Sequence, residues 1–210
     1  MRAVLFDLDG TLTDTLPLVI AALNAALAPV WGGPRTPDEI RRLFGPPEGQ
    51  LIAAEAPSEP SAVERFYGYY RAHHQREAEV FPGVRELLTT LVTRGFLLAL
   101  VTNKGHRSAM ITLEEFQMRH FFRAIVDGDE VKAKPSPEGI RLALARLEVT
   151  SEDAVYVGDM PSDLAAARTA GVAAWAAAWN RPADASEGWD FIASHPDDLL
   201  RRLAHERLTT

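Results

Sequence analysis

Short apolar runs alternate with amphipathic segments over most of the chain. Five runs rich in Val, Leu, Ile and Ala are predicted to be buried strands, at residues 3–7, 97–102, 124–127, 154–158 and 172–179. Between most of them lie segments with helical periodicity, at residues 84–93, 106–117, 137–147 and 162–170, and a closing helix is predicted at 196–208. This alternation predicts an α/β fold built on a doubly wound parallel sheet.

The interval between the first two strands departs from this alternation. Residues 15–81 form a far longer connection than the roughly 4–6 residues that usually join two elements. Helical periodicity recurs inside the interval at residues 16–27, 37–44 and 61–77, with Pro and Gly between these stretches. We therefore predict an inserted helical domain at 15–81, and a single core domain made of residues 1–14 and 82–210.

Composition narrows the class of protein. A chain of 210 residues that is 47% hydrophobic can bury a sizeable core. It contains no cysteine, which excludes disulfides and thiolate chemistry, and its formal net charge of −7 argues against a broad nucleic-acid or membrane-surface contact. The first apolar run is too short for a signal peptide. We expect a cytoplasmic enzyme that acts on a small metabolite.

Acidic and hydroxylic residues follow three of the predicted strands. Asp7 and Asp9 follow the first, Thr102 the second and Asp159 the fourth, with Asp163 close behind. The carboxyl ends of parallel strands share one edge of a sheet, and ligands bind there. Two carboxylates about 5 Å apart repel by roughly 3 kcal/mol at an effective dielectric of about 20, so such a cluster needs protons or a cation. Mg²⁺, which prefers oxygen ligands and substrate phosphate, suits this sparse set.

The same edge is predicted to bind a phosphate group. Thr102 and the amides after it can donate to phosphate oxygens, Lys134 supplies a cation, and Gly10 lets the backbone approach the reacting group. One aspartate can then attack phosphorus, and a neighbour can protonate the leaving oxygen and later activate water. We assign Asp7 as the nucleophile and Asp9 as the general acid/base.

Four motifs follow one another along the chain in an order that resembles a known family. The segments VLFDLDGTLTDT, VTNK, KPSPEG and VGDMPSD follow one another as in the haloacid dehalogenase (HAD) superfamily, and the likeness covers essentially the whole chain. With a helical insertion after the first motif, the chain resembles the phosphoglycolate phosphatase-like branch. This resemblance implies a strand order like 5-4-1-2-3 and a cap that opens and closes over the site.

The resemblance also implies a role for each matching residue. Asp7 would be the nucleophile and Asp9 the acid/base. Mg²⁺ would be held by the Asp7 side chain, the Asp9 carbonyl and the Asp159 side chain. Phosphate would be bound by Thr102, the Asn103 amide and Lys134, while supporting roles fall to Gly10, Thr11 and Asp163.

Three functions remain in competition. The first is a Mg²⁺-dependent phosphatase that hydrolyses a small phosphomonoester through an aspartyl-phosphate, with phosphoglycolate as the first candidate substrate. The second is a phosphosugar mutase. The resemblance disfavours it, because mutases similar to this group carry a histidine in the first helix of the insertion and residues 16–31 contain none. The third is a receiver-like signalling module that accepts a phosphoryl group. Asp9 and the insertion oppose it, because a switch needs neither a dedicated acid nor a lid. Oligomeric state stays open.

Several polar residues have simpler interpretations. Lys104 and Lys132 are expected to be solvated, and Asp14 is expected to brace the start of the insertion. Asn103 can cap the helix that begins near residue 105, and Asp159 with Asp163 can cap the helix that follows them. In the insertion, Arg41 or Arg42 can either clamp a substrate carboxylate or belong to a solvated basic face.

Overall fold

The computed structural model describes the backbone of residues 1–179 and 188–207, and the side chains of these residues except 205–207. The strands, numbered in chain order, are β1 Ala3–Phe6, β2 Thr13–Asp14, β3 Glu79–Val80, β4 Leu97–Val101, β5 Ala124–Val126, β6 Ala154–Gly158, β7 Ala173–Ala177 and β8 Phe191–Ala193. The α-helices are α1 Leu16–Trp31, α2 Pro37–Arg41, α3 Glu48–Glu55, α4 Ser61–Glu77, α5 Val84–Thr93, α6 His106–Glu115, α7 Glu138–Leu147, α8 Pro161–Ala170 and α9 Pro196–Arg207.

The predicted doubly wound parallel sheet is confirmed. Six strands lie in the order β5-β4-β1-β6-β7-β8, and every neighbouring pair is parallel. The five predicted strands correspond to β1, β4, β5, β6 and β7. When these five are numbered 1 to 5 in chain order, the sheet read from β7 to β5 has the order 5-4-1-2-3. The sixth, β8, was missed because it has three residues and is only partly buried. The final residue of the predicted closing helix, Leu208, lies outside the described residues.

Alternate positions of the central strand face two separate apolar layers. Val4 and Phe6 of β1 belong to a cluster completed by α5, α6 and α9. Ala3 and Leu5 face a second cluster, which is completed by α7 and α8. Because both faces of the sheet are covered by helices, the strands are almost continuously apolar and polar residues appear where the strands end.

Helices α1–α4 enclose a third apolar cluster of their own. Leu23 and Leu27 of α1 are fully buried in it together with Phe66 and Tyr70 of α4. The sequence prediction missed α3, which is eight residues long and follows two prolines. At the two ends of this helical stretch, β2 and β3 pair antiparallel, so the chain leaves and re-enters the larger body side by side.

No helix within the described ranges has the length and apolar character to cross a bilayer. The longest, α4, has 17 residues, whereas a span needs about 20 predominantly apolar ones.

Candidate active site

The ends of β1, β4 and β6 place the predicted residues around one point. Asp7 leaves β1 with its amide still bonded to the Val157 carbonyl at 2.9 Å, and the Thr102 amide donates to the Val126 carbonyl at 3.0 Å. Carboxylate oxygens of Asp7, Asp159 and Asp163 lie within 4.8 Å of one another. Three acidic side chains that are distant in sequence therefore meet at one edge of the sheet, where the parallel topology predicts a ligand site.

Gly10 and Thr11 position Asp159 from the opposite loop. Gly10 has φ +88°, and a Cβ atom built there would lie 2.5 Å from Oδ2 of Asp159. Only glycine tolerates both the left-handed backbone and this close approach. The buried Thr11 hydroxyl donates to Oδ1 of Asp159 at 3.2 Å. These two residues thus orient a carboxylate of the cluster.

Lys134 is buried at the centre of the acidic cluster. Its Nζ lies 2.7 Å from Oδ1 of Asp7 and 2.6 Å from Oδ1 of Asp163, and it donates to the Tyr156 hydroxyl at 2.8 Å. Burial opposes the ammonium charge, but Asp163 and Asp7 together outweigh it and raise the pKa of Lys134 above its ordinary value. The lysine is therefore a permanent cation shared by two carboxylates.

The cluster carries more negative charge than Lys134 can neutralise. Burial raises the pKa of Asp7 to about 8; Lys134 opposes the shift, and Asp163 and Asp159 add to it. A hard divalent cation would relieve this repulsion, and the donors are the carboxylate oxygens that Mg²⁺ prefers. The residues present therefore fit a Mg²⁺ site.

Asp163 stabilises the start of α8 and contacts the cluster at the same time. Its Oδ2 accepts from the Asp159 amide at 3.2 Å and from the Met160 amide at 3.0 Å. Its other oxygen accepts from the Tyr156 hydroxyl at 2.9 Å, in addition to its Lys134 contact. Helix capping and support of the acidic cluster are thus combined in one side chain.

Thr102 and Asn103 lie beside this cluster and line the same cleft. The Thr102 hydroxyl accepts from the Lys104 amide at 3.1 Å. The Asn103 side chain does not cap α6: its Oδ1 accepts from the Lys134 amide at 2.7 Å and its Nδ2 donates to the Lys134 carbonyl at 3.2 Å. Asn103 therefore fixes the loop that carries the central lysine.

The expectation that Lys104 is solvated is wrong. Its side chain is 1% exposed, and Nζ lies 3.2 Å from Oδ2 of Asp9 and 3.3 Å from Oε1 of Glu48. Helices α3 and α4 bury this lysine, because Glu48 begins α3 and the ring of Tyr70 lies 5.1 Å from Nζ. Burial opposes the charge, but Asp9, Tyr70 and Glu48 raise the pKa of Lys104 well above its ordinary value.

Asp9 is thus held from two sides, and neither partner was identified from the sequence. Thr15 donates a hydrogen bond to its Oδ1, and Lys104 contacts both of its oxygens. Glu48, the third member of this group, also accepts from the Gly105 amide at 2.9 Å. Tyr156 was missed as well, although a tyrosine that alternates with Val155 and Val157 on a buried strand is a detectable signal.

The remaining candidate residues differ in how far their side chains are exposed and in whether they line the cleft. Lys132 is exposed, as expected for a solvated side chain, and Asp14 accepts from the Leu16 amide at 3.3 Å at the start of α1. Arg41 lines the cleft and contacts Asp38 at 2.8 Å. Its neighbour Arg42 is exposed and is not part of the lining.

A cleft of about 1280 Å³ connects the acidic cluster with helices α1–α3. Its polar end is formed by the residues that follow β1, β4 and β6, and its other side by residues of α1, the α2–α3 loop and α3. Asp7 and Lys134 are both almost fully buried at this cleft, which suits chemistry at a site from which most water is excluded.

Known proteins are similar to this chain over most of its length. The family description "Haloacid dehalogenase-like hydrolase" matches residues 4–177. Pyrophosphatase PpaX of Halalkalibacterium halodurans is 33% identical over 97% of this chain and 94% of its own, and phosphoglycolate phosphatase of Rhodospirillum rubrum is 34% identical over 81% and 77%. The crystal structure of a putative beta-phosphoglucomutase from Thermotoga maritima superposes with a TM-score of 0.76 at 31% identity, over 98% of this chain and 99% of that one.

The fold and the acidic site define a hydrolase built on a parallel sheet. The chain belongs to the haloacid dehalogenase-like hydrolase family, and its resemblance to the phosphoglycolate phosphatase-like branch is confirmed. The predicted class of enzyme, a phosphatase, is confirmed by the relatives it matches.

Proposed function

We propose that this chain is a Mg²⁺-dependent phosphatase that hydrolyses a small phosphomonoester through an aspartyl-phosphate formed on Asp7. The observation that supports this most strongly is the meeting of the Asp7, Asp159 and Asp163 carboxylates around one buried lysine at the end of a cleft. Residues 1–14 and 82–210 would form the catalytic core, and residues 15–81 a cap that supplies the other wall of the cleft.

The phosphate group would be bound by donors that surround Asp7. The Thr102 hydroxyl, the Asn103 amide and the Lys134 ammonium are the proposed donors, and Asn103 keeps the lysine loop in place through its side chain. The Asp7 side chain, the Asp9 carbonyl and the Asp159 side chain would hold Mg²⁺, which neutralises negative charge on the carboxylates and the phosphate. Asp7 then attacks phosphorus and splits the hydrolysis into two easier displacements.

Asp9 is the proposed general acid and base. It would protonate the leaving oxygen in the first displacement and take a proton from water in the second. The contacts from Lys104 and Thr15 fix the orientation of its carboxylate. Lys104 is therefore a positioning residue in this proposal, because it acts through Asp9.

Phosphate release from a panel of small phosphate esters tests the function directly. We expect turnover with Mg²⁺ and its loss with a chelator, and phosphoglycolate is the first ester to assay because a relative is a phosphoglycolate phosphatase. No release from any ester would contradict the proposal.

The similarity to the putative beta-phosphoglucomutase keeps a mutase as the second candidate, which would retain and return a bisphosphate intermediate. A long-lived aspartyl-phosphate without steady release would favour a receiver. The predicted cytoplasmic location rests on the sequence alone.

Metal binding is expected to depend on pH through Asp7. Its folded pKa of about 8 exceeds the ordinary value of 3.8, so the folded metal-free protein binds an extra proton between these values. The contribution of Asp7 to the free energy of unfolding should therefore fall as pH rises from about 4 to 8. Mg²⁺ competes with this proton, so its affinity should increase by up to about tenfold per pH unit until pH 8 and then level off.

Thermal unfolding at pH 6 to 9, with and without Mg²⁺, measures this effect. We expect a larger stabilisation by Mg²⁺ at pH 9 than at pH 6. Asp159→Asn should remove most of it, while Asp197→Asn, which changes an exposed acid on α9, should not. An equal stabilisation at every pH would contradict the assignment of Asp7 as a ligand.

Lys104→Met tests the positioning role. The change leaves Asp9 and Glu48 without their buried cation, so we expect kcat to fall by about 10- to 100-fold and the free energy of unfolding to fall by about 3 kcal/mol. Lys132→Met is the matched control at an exposed lysine and should alter stability by no more than about 0.5 kcal/mol. Steady-state kinetics and urea unfolding measure both variants, and unchanged kcat in Lys104→Met would show that Asp9 needs no such support.

A further inference from the structure

The wall of the cleft opposite the acidic cluster is apolar. Helix α1 contributes the half-buried Ile20, whereas Val19 and Leu23 of α1 and Leu51 of α3 line the cleft but are buried in the helical core. Phe44 is 41% exposed and also lines the cleft. On the core side, Met160 follows Asp159 and is 40% exposed in the same cleft. Large apolar side chains on both sides of a cleft usually contact a ligand, because their exposure otherwise costs free energy.

The cations that line the cleft already have acidic partners. Lys134 contacts Asp7 and Asp163, Lys104 contacts Asp9 and Glu48, and Arg41 contacts Asp38. Glu48 also brings a further carboxylate to the lining. A carboxylate on the leaving group, as in phosphoglycolate, would meet this acid. Of the cations in the described lining, Lys134 is assigned to the phosphate, Lys104 is neutralised by two acids, and Arg41 would have to exchange Asp38 for the substrate.

The size of the cleft also favours a substrate that is larger than phosphoglycolate or pyrophosphate. The cleft of about 1280 Å³ has more room than a phosphate, a metal ion and a two-carbon leaving group would fill. Phosphoglycolate and pyrophosphate would leave Ile20, Phe44 and Met160 in contact with water. A substrate with a larger apolar part would cover them.

We propose that the substrate is a phosphomonoester of an uncharged alcohol whose apolar chain or ring is larger than the two carbons of glycolate. This inference rests on the proposed function, since it takes the phosphate to lie at Asp7. The alcohol would lie against Ile20 of α1 and against Phe44 and Met160. Such contacts are equal in the ground state and the transition state, so they lower KM and leave kcat nearly constant.

A series of alkyl phosphates tests the inference on the wild-type protein with Mg²⁺. Ethyl, butyl and hexyl phosphate differ only in apolar length, and phosphoglycolate matches ethyl phosphate in length but adds a carboxylate. Each fully buried methylene is worth about fourfold in kcat/KM, so we expect hexyl phosphate to exceed ethyl phosphate by about tenfold or more, mainly through KM. Phosphoglycolate should be the poorest substrate of the four.

Two substitutions in α1 test where the alcohol of the substrate binds. Ile20→Asn places an amide on the cleft wall and should reduce the ratio of hexyl to ethyl phosphate kcat/KM by about fivefold or more. Val30→Asn is the matched control, since Val30 is an exposed apolar residue of the same helix outside the lining, and it should preserve the ratio.

The outcomes separate the inference from the function on which it rests. A ratio near one for hexyl and ethyl phosphate, or a preference for phosphoglycolate, would overturn the inference while the phosphatase remained. An unchanged ratio in Ile20→Asn would overturn the placement of the alcohol. No phosphate from any ester would overturn the proposed function and this inference together.

Discussion

Asp7→Asn is expected to lower phosphate release by at least about 1000-fold, because an amide oxygen cannot form the aspartyl-phosphate. Nearly all of the loss should appear in kcat, since the phosphate donors Thr102 and Lys134 remain. The loss of one buried carboxylate next to Asp163 and Asp159 relieves repulsion, so the fold should be retained. Steady-state phosphate release and circular dichroism on the same preparation measure both effects.

Asp127→Asn is the matched control for this change. Asp127 also ends a strand of the sheet and is 1% exposed, but it contacts His106 at 2.7 Å and lies outside the cleft lining. Its replacement should alter turnover only a few-fold. If Asp7→Asn kept the turnover of the wild type, the nucleophile would be another residue and the proposed mechanism would be wrong.

The effect of Asp9→Asn should depend on the leaving group. With an alkyl phosphate, whose alcohol must be protonated as it leaves, we expect kcat to fall by about 100- to 10,000-fold. With p-nitrophenyl phosphate the first displacement needs no acid, and only the hydrolysis of the aspartyl-phosphate should be slow. Rapid-mixing experiments should then detect a burst of about one nitrophenolate per protein molecule.

Asp14→Asn serves as the control within the same loop. Asp14 lines the cleft and accepts a hydrogen bond from the Leu16 amide at the start of α1, but it is not part of the acidic cluster. It should preserve the difference between alkyl and aryl esters seen in the wild type. Equal losses on both esters in Asp9→Asn, without a burst, would exclude Asp9 as the general acid and base.

The acidic half of the site could be predicted because topology alone determines it. Parallel strands end at one edge, so the positions of Asp7, Thr102 and Asp159 follow once the strands are located. Lys134 lies in a loop, and only its motif distinguished it from Lys132. In the structure, the former is buried and the latter exposed.

The side of the site that faces helices α1–α4 could not be predicted, because it depends on contacts between elements that are distant in the sequence. Lys104 is buried by Glu48 and Tyr70, which belong to helices from a separate part of the chain. Nothing near Lys104 in the sequence indicates that those helices pack there. The same limit applies to the apolar wall, since the residues of α1 that face the cleft and those that face the helical core share one periodic pattern.

The short β2–β3 ladder has a consequence for how such a protein can change over generations. Thr13 pairs with Val80 and Asp14 with Glu79, so α1–α4 join the rest of the chain through two adjacent crossings. Mutations or exchanges between these crossings can reshape the apolar wall while the strand tips keep their positions. Under the proposed function, substrate range and bond-breaking chemistry would thus be encoded in largely separate stretches of the gene, and the first could diversify while the second is preserved.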